Sequence, residues 1–224
     1  ILFSSFSFGA NAYSVDEEDA SIESYYLYNF ENDLVMAEKD IDKVISSSST
    51  VKIMTVCVAL ESDIPMNTVI TITQSMISGI SGRFMGLRVG DKLTFEDLLY
   101  ATVCASFNDA AQALALTISP SLEHFVDKMN QKAKELGMLS TTYADVTGIA
   151  SEENKTTVSD LIKLARYMSQ NEEFLKISST KSHKLSVMAT CDYTTISNRS
   201  SLLTSYKGIS NFNSGSSGEN GYSS

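Results

Sequence analysis

A serine and a lysine stand three positions apart in the stretch Ser46-Ser47-Ser48-Ser49-Thr50-Val51-Lys52-Ile53-Met54-Thr55. The apolar residues that follow recur at the spacing of a buried helix, so we predict a helix from Ser49 to about Leu60. Residues i and i+3 share one face of a helix, which brings the Lys52 amine within reach of the Ser49 hydroxyl. The amine can take the hydroxyl proton, and the helix N-terminus favours developing negative charge. The pair is therefore a candidate nucleophile with its own base.

The same spacing occurs once more, in Ser178-Ser179-Thr180-Lys181. The four-residue pattern alone therefore does not identify a catalytic pair, and the residues that follow it must decide. We interpret the second copy as a solvated turn, because no further polar motif or glycine-containing strand follows it at a suitable distance.

Composition excludes several classes of function. The chain has 224 residues, of which 43% are hydrophobic and 20% charged, and a net charge of -10. It can bury a core of one large or two small domains, and its acidity argues against a nucleic-acid partner. The three cysteines, Cys57, Cys104 and Cys191, show neither a C-x-x-C pattern nor metal-ligand spacing. We expect small buried thiols, and neither a metal nor a cofactor.

The first twelve residues, Ile1 to Ala12, read as the end of an apolar segment closed by small residues. This pattern is typical of the end of a secretory signal before its cleavage site. There is no initiator Met and no basic segment before it, so we expect the chain to begin inside the signal. A frayed apolar terminus is the alternative. No other apolar run is long enough to span a bilayer. We therefore expect an exported, extracytoplasmic protein.

Strands are predicted at both ends of the chain and helices between them. The predicted elements are a hairpin within 22–39, a strand at 68–73, a helix opened by a capping box at 94–97, helices at 108–118 and 122–136, a helix capped at 157–160, and strands at 184–189 and 193–197. This order predicts an α+β fold in which terminal strands share one antiparallel sheet beside a helical region.

Three short motifs follow one another along the chain: Ser49-x-x-Lys52, Ser106-x-Asn108 and Asn213-Ser214-Gly215. Their order resembles the S-x-x-K, S-x-N and K-T-G set of penicillin-binding proteins and serine β-lactamases. The closer resemblance, over about residues 20–222, is to the D-alanyl-D-alanine carboxypeptidases. It is carried by Lys52-Ile53-Met54-Thr55, Gly90-Asp91-Lys92-Leu93-Thr94, Asp97-Leu98-Leu99-Tyr100, Asn108-Asp109-Ala110-Ala111, Met129-Asn130, Leu136-Gly137-Met138 and Thr147-Gly148.

The resemblance implies a β-lactamase-like transpeptidase fold over residues 13–224, incomplete at its C-terminal end. It implies that Ser49 is the nucleophile, Lys52 its base and Ser106 the proton relay to the leaving amine. It further implies that Asn108 helps to hold Lys52 and the substrate amide, and that the amides of Ser49 and Ser216 bind the oxyanion. The implied substrate is a peptidoglycan stem peptide ending in D-Ala-D-Ala. β-Lactams would acylate the same serine, and membrane association would need segments outside this chain.

The third motif departs from the family, because its lysine falls on Asn213. Ser214 replaces the family's threonine, while Gly215 stays and permits close approach of substrate along a strand. The missing lysine would pair with the substrate carboxylate and help to keep Lys52 neutral. Removing one partner of a desolvated charge pair costs roughly 2 to 5 kcal/mol. Lys207 is six residues away on another stretch, which makes it a poor substitute. A weakened enzyme, a silent peptide binder and a decayed copy remain open.

Smaller features complete the sequence interpretation. Ser47-Ser48 stands where the family usually has Pro-Ala, and Asp145-Val146 where it usually has Asn-Pro. No E-x-x-L-N segment follows Ser106 to supply the deacylating glutamate of a class A β-lactamase. We expect His124 and His183 at the surface, which leaves a Ser-His-Asp triad without support. The competing Ser169-Gln170-Asn171 is interpreted as a helix cap, and Tyr25-Tyr26-Tyr28 as sheet packing.

Overall fold

The computed structural model describes residues 22–29, 34–150, 152–186, 193–200 and 203, together with the backbone of 215–216 and 222–223. The strands are β1 (Tyr25–Asn29), β2 (Leu34–Lys39), β3 (Ile45–Ser46), β4 (Val69–Thr71), β5 (Lys92–Thr94), β6 (Lys155–Thr156), β7 (Ser182–Lys184), β8 (Thr195–Ser197), β9 (Gly215–Ser216) and β10 (Tyr222–Ser223). The helices are α1 (Val51–Leu60), α2 (Gln74–Ile77), α3 (Phe95–Cys104), α4 (Asn108–Ile118), α5 (Leu122–Glu135), α6 (Val158–Met168) and α7 (Glu172–Ser179). A 3-10 turn, Ser48–Thr50, leads into α1.

The helix α1 lies at the centre of the molecule. Its residues from Val51 to Val58 are at most 9% exposed, and Ala59 is fully buried. A helix that is apolar on all sides is stable only when other elements surround it. Helices α3, α4, α5 and α6 all contact α1 and complete the core. The predicted buried helix after Ser49 is confirmed.

Strands pair in antiparallel twos: β1 with β2, β3 with β6, β4 with β5, β7 with β8, and β9 with β10. In the first pair the Tyr26 and Tyr28 rings stack at 5.7 Å, since alternate residues of a strand share a face. The guanidinium of Arg166 lies over the Tyr28 ring, which confirms the packing role of these tyrosines. Within the described ranges the N-terminal and C-terminal strands do not pair with each other, so one shared sheet stays a prediction.

The predicted helix boundaries agree with the structure. Thr94 and Asp97 form a reciprocal capping box at the start of α3, with N···O distances of 3.0 and 3.1 Å. The Thr157 hydroxyl accepts from the Asp160 amide at the start of α6. Gly137 follows α5 with φ +71°, a left-handed conformation that glycine adopts without strain. Local capping chemistry is therefore sufficient to place these helix ends.

Of the second serine-lysine pair, Ser178 lies on helix α7 and Lys181 is exposed beyond its end, so the interpretation as a solvated turn is wrong for the serine. Ser178 is fully buried on α7, and its hydroxyl donates to the Leu175 carbonyl at 3.3 Å. The apolar spacing of Phe174 and Ile177 turns this face of α7 inward. The competing cap at 169–171 is confirmed, because Asn171 accepts from the Phe174 amide.

His183 is not the surface residue that the sequence suggested, whereas His124 is exposed as expected. The His183 Nε2 lies 2.7 Å from Asp97 Oδ1, and its ring stacks on Tyr100 at 3.8 Å. Burial of Asp97 opposes its ionisation, but hydrogen bonds from His183, Thr94 and Ser186 outweigh it and hold the pKa of this carboxyl below its usual value. The pair ties β7 to α3, a long-range contact that strand alternation cannot predict.

Cys57 and Cys104 are free and buried, as expected, and burial raises the pKa of each thiol to about 12. Cys191 lies outside the described residues. Among the residues that are described, no cluster of His, Cys, Asp and Glu could hold a metal ion. In the same part of the chain, no helix is long and apolar enough to cross a membrane. The proposed signal at 1–12 lies outside the described ranges.

Candidate active site

Ser49 lies in the 3-10 turn at the entrance to α1 and is half-buried. The turn is fixed by Ser47, whose carbonyl accepts from both the amide and the hydroxyl of Thr50. Ser48 has φ 44°, an unusual left-handed conformation for a residue with a side chain. A strained residue beside the nucleophile position holds the chain in one geometry as it enters the helix.

Lys52 is buried inside the protein with only 2% of its surface exposed. Its Nζ donates to the Thr147 carbonyl at 2.6 Å. Burial lowers the pKa of Lys52 to about 7; the charge of Asp145 opposes this shift and that of Arg199 supports it. Because an amine is a base only when it is neutral, a pKa near 7 makes Lys52 available to take a proton at physiological pH.

The Thr147 carbonyl belongs to a tight turn over residues 145–150. Asp145 Oδ1 accepts from the Thr147 amide at 2.5 Å, from the Thr147 hydroxyl at 2.8 Å and from the Gly148 amide at 2.5 Å. Its Oδ2 accepts from the Ala150 amide at 2.7 Å and from Asn154 Nδ2 at 2.9 Å. Backbone amides that donate to a carboxylate stabilise its charged form, and the pKa of Asp145 is held below its usual value despite burial.

Gly148 lets this turn pack directly on the serine turn. Its φ is +84°, and a Cβ at this position would lie 1.8 Å from the Ser48 carbonyl oxygen and 3.0 Å from the Ser49 nitrogen. Any side chain would force the two turns apart. The Thr147-Gly148 pair thus makes two contacts. Thr147 provides the carbonyl that binds Lys52, and Gly148 allows the close approach to Ser49.

Ser106 and Asn108 lie where α3 ends and α4 begins. Ser106 is 4% exposed and has φ 57°, the second non-glycine residue near the site in a left-handed conformation. Arg83 Nε donates to the Ala105 carbonyl, and the Arg83 carbonyl accepts from the Asn108 amide, both at 2.8 Å. The loop before β5 therefore clamps the motif in place.

The hydrogen bond of the Asn108 side chain goes to the loop at Ser81 rather than to Lys52. The Asn108 Nδ2 donates to the Ser81 carbonyl at 2.8 Å, and no described hydrogen bond joins it to Lys52. The same Nδ2 lies 3.0 Å, and Ile149 Cδ1 3.8 Å, from the Cβ position of Gly82. Since Ile149 follows the glycine that touches Ser49, the first two motifs meet here. The role of Asn108 towards the substrate amide stays a prediction.

Asp109 is a site residue to which the sequence analysis gave no role. Its carboxylate accepts from three successive loop amides, those of Met85, Gly86 and Leu87, at 3.0 to 3.1 Å. It thereby fixes the loop that clamps Asn108. Its position after the S-x-N motif was the available signal, but only the fold shows which amides it meets.

The third motif is described only in part. Asn213 and Ser214 lie outside the described residues, while the Gly215–Ser216 backbone forms β9. This strand pairs with β10 and contacts the 3-10 turn that carries Ser49. The backbone of Ser216 thus runs beside the serine turn, as an oxyanion site shared with the Ser49 amide requires. The oxyanion contact itself stays a prediction.

Arg199 is a cation of the site that no sequence pattern singled out. Its amide donates to the Cys104 carbonyl at 2.9 Å, two residues before Ser106, and its side chain is exposed. The preceding Asn198 anchors the segment, because its Nδ2 donates to the Ser178 and Thr180 carbonyls at 3.1 Å. Within the described part of the chain, no hydrogen bond or ion pair holds the guanidinium, whose charge acts on Lys52.

Comparison with known proteins matches residues 11–223 to the D-alanyl-D-alanine carboxypeptidase family, Peptidase_S11. The chain is 33% identical to a D-alanyl-D-alanine endopeptidase of Haemophilus influenzae over 71% of this chain and 54% of the relative. It is 30% identical to the D-alanyl-D-alanine carboxypeptidase of Streptomyces sp. strain K15 over 88% of this chain and 72% of the relative. The chain spans about half the length of several curated relatives it matches.

Solved structures agree with this likeness. The Streptomyces K15 DD-transpeptidase superposes with a TM-score of 0.78 at 30% identity, over 88% of this chain and 80% of that one. A D-alanyl-D-alanine carboxypeptidase of Mycobacterium tuberculosis, at 24% identity and a TM-score of 0.78, shares the fold over 87% of this chain and 73% of that one. The chain belongs to the D-alanyl-D-alanine carboxypeptidase family of serine peptidases and has the fold of the penicillin-binding DD-peptidases.

Proposed function

We propose that this protein is a serine-type D-Ala-D-Ala carboxypeptidase that removes the terminal D-alanine from peptidoglycan stem peptides. The observation that carries the proposal is the buried Lys52, whose pKa is lowered to about 7, so that a large fraction of the amine is neutral at physiological pH, and which lies one helical turn from Ser49. Residues 13–224 form the catalytic domain in this proposal, supported by the family match and by one core around α1.

In the proposed reaction Lys52 takes the Ser49 proton, and the serine oxygen attacks the carbonyl carbon of the penultimate D-alanine. The oxyanion is stabilised by the amides of Ser49 and Ser216. The carbon–nitrogen bond then breaks, and the leaving amine receives a proton through Ser106. Water finally attacks the ester, releasing the shortened peptide and restoring the Ser49 hydroxyl. β-Lactams acylate the same oxygen and block the site.

The absent lysine of the third motif weakens this enzyme in our proposal but does not silence it. Asn213 donates a hydrogen bond without charge, which costs affinity for the substrate carboxylate. Two features preserve the chemistry: burial still lowers the pKa of Lys52 to about 7, and the Arg199 charge acts in the same direction. The Arg199 guanidinium is also exposed, and no hydrogen bond or ion pair among the described residues holds it.

A catalytically silent binder of cell-wall peptide is the second candidate, favoured by Asn213. A peptide ending in D-Ala-D-Ala separates the two, because the enzyme liberates free D-alanine while the binder retains the intact peptide. We expect D-alanine release by the full chain and none by Ser49→Ala. Saturable peptide binding without release would establish the binder and refute the carboxypeptidase.

We further propose that the protein acts outside the cytoplasm, where its proposed substrate lies. The support is the signal-like pattern of residues 1–12 together with the family match. Fractionation of cells expressing the full-length protein tests this, with signal in the cytoplasmic fraction alone as the refuting result.

A further inference from the structure

Asp145 is a carboxylate beside the site whose two oxygens are both highly coordinated. Its two oxygens accept five hydrogen bonds, from the Thr147 amide and hydroxyl, the Gly148 and Ala150 amides and the Asn154 side chain, at 2.5 to 2.9 Å. All five donors come from residues 147–154. A carboxylate with this many donors stays ionised and folds the chain around itself.

One residue, Thr147, connects the turn around Asp145 to Lys52. The residue whose amide and hydroxyl bind Asp145 is Thr147, and the carbonyl of Thr147 accepts from Lys52 Nζ at 2.6 Å. The next residue, Gly148, packs against the backbone of the serine turn. Any movement of the Asp145 carboxylate therefore moves the acceptor of the Lys52 amine and the wall behind Ser49 together.

We propose that Asp145 is a positioning residue for Lys52, which holds the Thr147 carbonyl against the amine and places a fixed negative charge beside it. This role rests on the proposed function, in which Lys52 is the base. It differs from substrate binding, because Asp145 acts only through Lys52 and the turn.

Two charged groups act on the protonation of Lys52 in opposite directions. The Asp145 charge favours the ammonium form and raises the pKa of Lys52, whereas the Arg199 charge lowers it. Asp109, on the neighbouring α4, is directed away to the amides of residues 85–87. The protonation of Lys52 therefore depends on a balance in which Asp145 is the anionic member.

An asparagine at this position cannot reproduce the arrangement. It has one accepting oxygen, and its Nδ2 would face two donors, the Ala150 amide and Asn154 Nδ2. Asn154 is itself fixed, because its Oδ1 accepts from the Ala144 amide at 2.8 Å. The chain is thus built for a carboxylate at residue 145, and the charge that comes with it is part of the site.

The test measures Lys52 directly, by NMR titration of protein carrying ¹³C-labelled lysine, with the Lys52 signal assigned from its loss in Lys52→Arg. Two neutral variants are compared, Asp145→Asn and Asp145→Ser, since a serine hydroxyl still supports the turn without opposing the donors. Glu152→Gln is the matched control: it removes a nearby exposed carboxylate and leaves the contacts of Asp145 and Thr147 in place. The rate of acylation by a fluorescent penicillin is followed over the same pH range.

We expect the neutral variants to lower the pKa of Lys52 by about one unit, a tenfold change in proton affinity, while Glu152→Gln leaves it in place. The acidic limb of the acylation profile should move with it. An unchanged Lys52 pKa in a folded neutral variant would overturn the proposal. So would failure of both neutral variants to fold beside a folded Glu152→Gln, because Asp145 would then serve the fold alone. If the wild type is never acylated although the neutral variants lower the pKa of Lys52, the proposed function fails, while the effect of Asp145 on the protonation of Lys52 is established.

Discussion

The Lys52 amine donates to the Thr147 carbonyl at 2.6 Å across 95 positions of the chain. A buried lysine that is bound to a neutral carbonyl has no carboxylate partner to fix its charge, so burial dominates its titration. This contact therefore distinguishes Ser49 and Lys52 from an ordinary serine-lysine spacing, because it leaves the lysine able to act as a base beside the nucleophile.

The pH dependence of acylation follows from the same contact. Only neutral Lys52 can accept the Ser49 proton, and its pKa is lowered to about 7. We therefore expect the second-order rate of acylation by penicillin to fall about tenfold per pH unit well below pH 7 and to level off above pH 8. Labelling with penicillin for fixed times between pH 5 and 9 measures this rate. A rate that stays constant down to pH 5 would rule out Lys52 as the base.

Burial of the Lys52 amine should also make the stability of the protein depend on pH. The pKa of Lys52 is lowered from 10.5 to about 7 on folding, so the unfolded chain binds the extra proton between these values and wild-type stability rises with pH there. Below pH 7 the full cost of the buried charge is present. Lys52→Met removes that cost, and its advantage over wild type should shrink by on the order of 2 kcal/mol between pH 7 and 9.

Urea unfolding at the two pH values measures this difference. Lys92→Met, at an exposed position of β5, is the matched control, and we expect its difference from wild type to be the same at both pH values. A pH-independent difference for Lys52→Met as well would show that the buried amine is not what titrates.

Gly148→Ala tests the contact between the two turns. The new Cβ would meet the Ser48 carbonyl at 1.8 Å in addition to the strain of φ +84°. We expect acylation to fall at least tenfold, because the serine turn must shift. Gly90→Ala is the matched control, since Gly90 has φ +93° with open space around it and so carries the strain without the collision. Equal losses in both variants would mean that backbone strain, rather than the packing on Ser48, is responsible.

Arg199→Gln should shift the balance of charge on Lys52 the other way. The Arg199 charge lowers the pKa of Lys52, so its removal raises that pKa and moves the acidic limb of acylation to higher pH. We also expect a higher KM for a D-Ala-D-Ala peptide if the guanidinium meets the substrate carboxylate. Lys181→Gln, an exposed residue on the neighbouring segment, is the control. A profile superposable on wild type would exclude an electrostatic role for Arg199.

Local chemistry predicted the elements of this fold well. The capping box at Thr94, the cap at Thr157 and the glycine after α5 each determine a helix end within a few residues, and all three were readable from the sequence. The apolar run after Ser49 likewise predicted a buried helix, because no polar face interrupts it.

The contacts that the sequence missed all join distant parts of the chain. His183 was placed at the surface because nothing in its own strand requires burial; Asp97, 86 positions earlier, provides the reason. The burial of Ser178 likewise depends on tertiary packing, because the face of α7 that carries it packs inward. Arg199 gives no local signal either, and its place in the site depends on a backbone contact with the end of α3. The order of the three motifs is enough to locate this site in the sequence. The charges that act on Lys52 can be identified only from the folded structure.

The proposed function requires Ser49 to form a covalent acyl-enzyme. It is tested most directly by incubating the full chain with penicillin and locating the adduct by mass spectrometry of its peptides, with Ser49→Ala beside it. We expect one added penicillin, on Ser49, absent from the folded Ser49→Ala variant. An unmodified Ser49 in folded wild type, or equal labelling of the variant, would contradict the account.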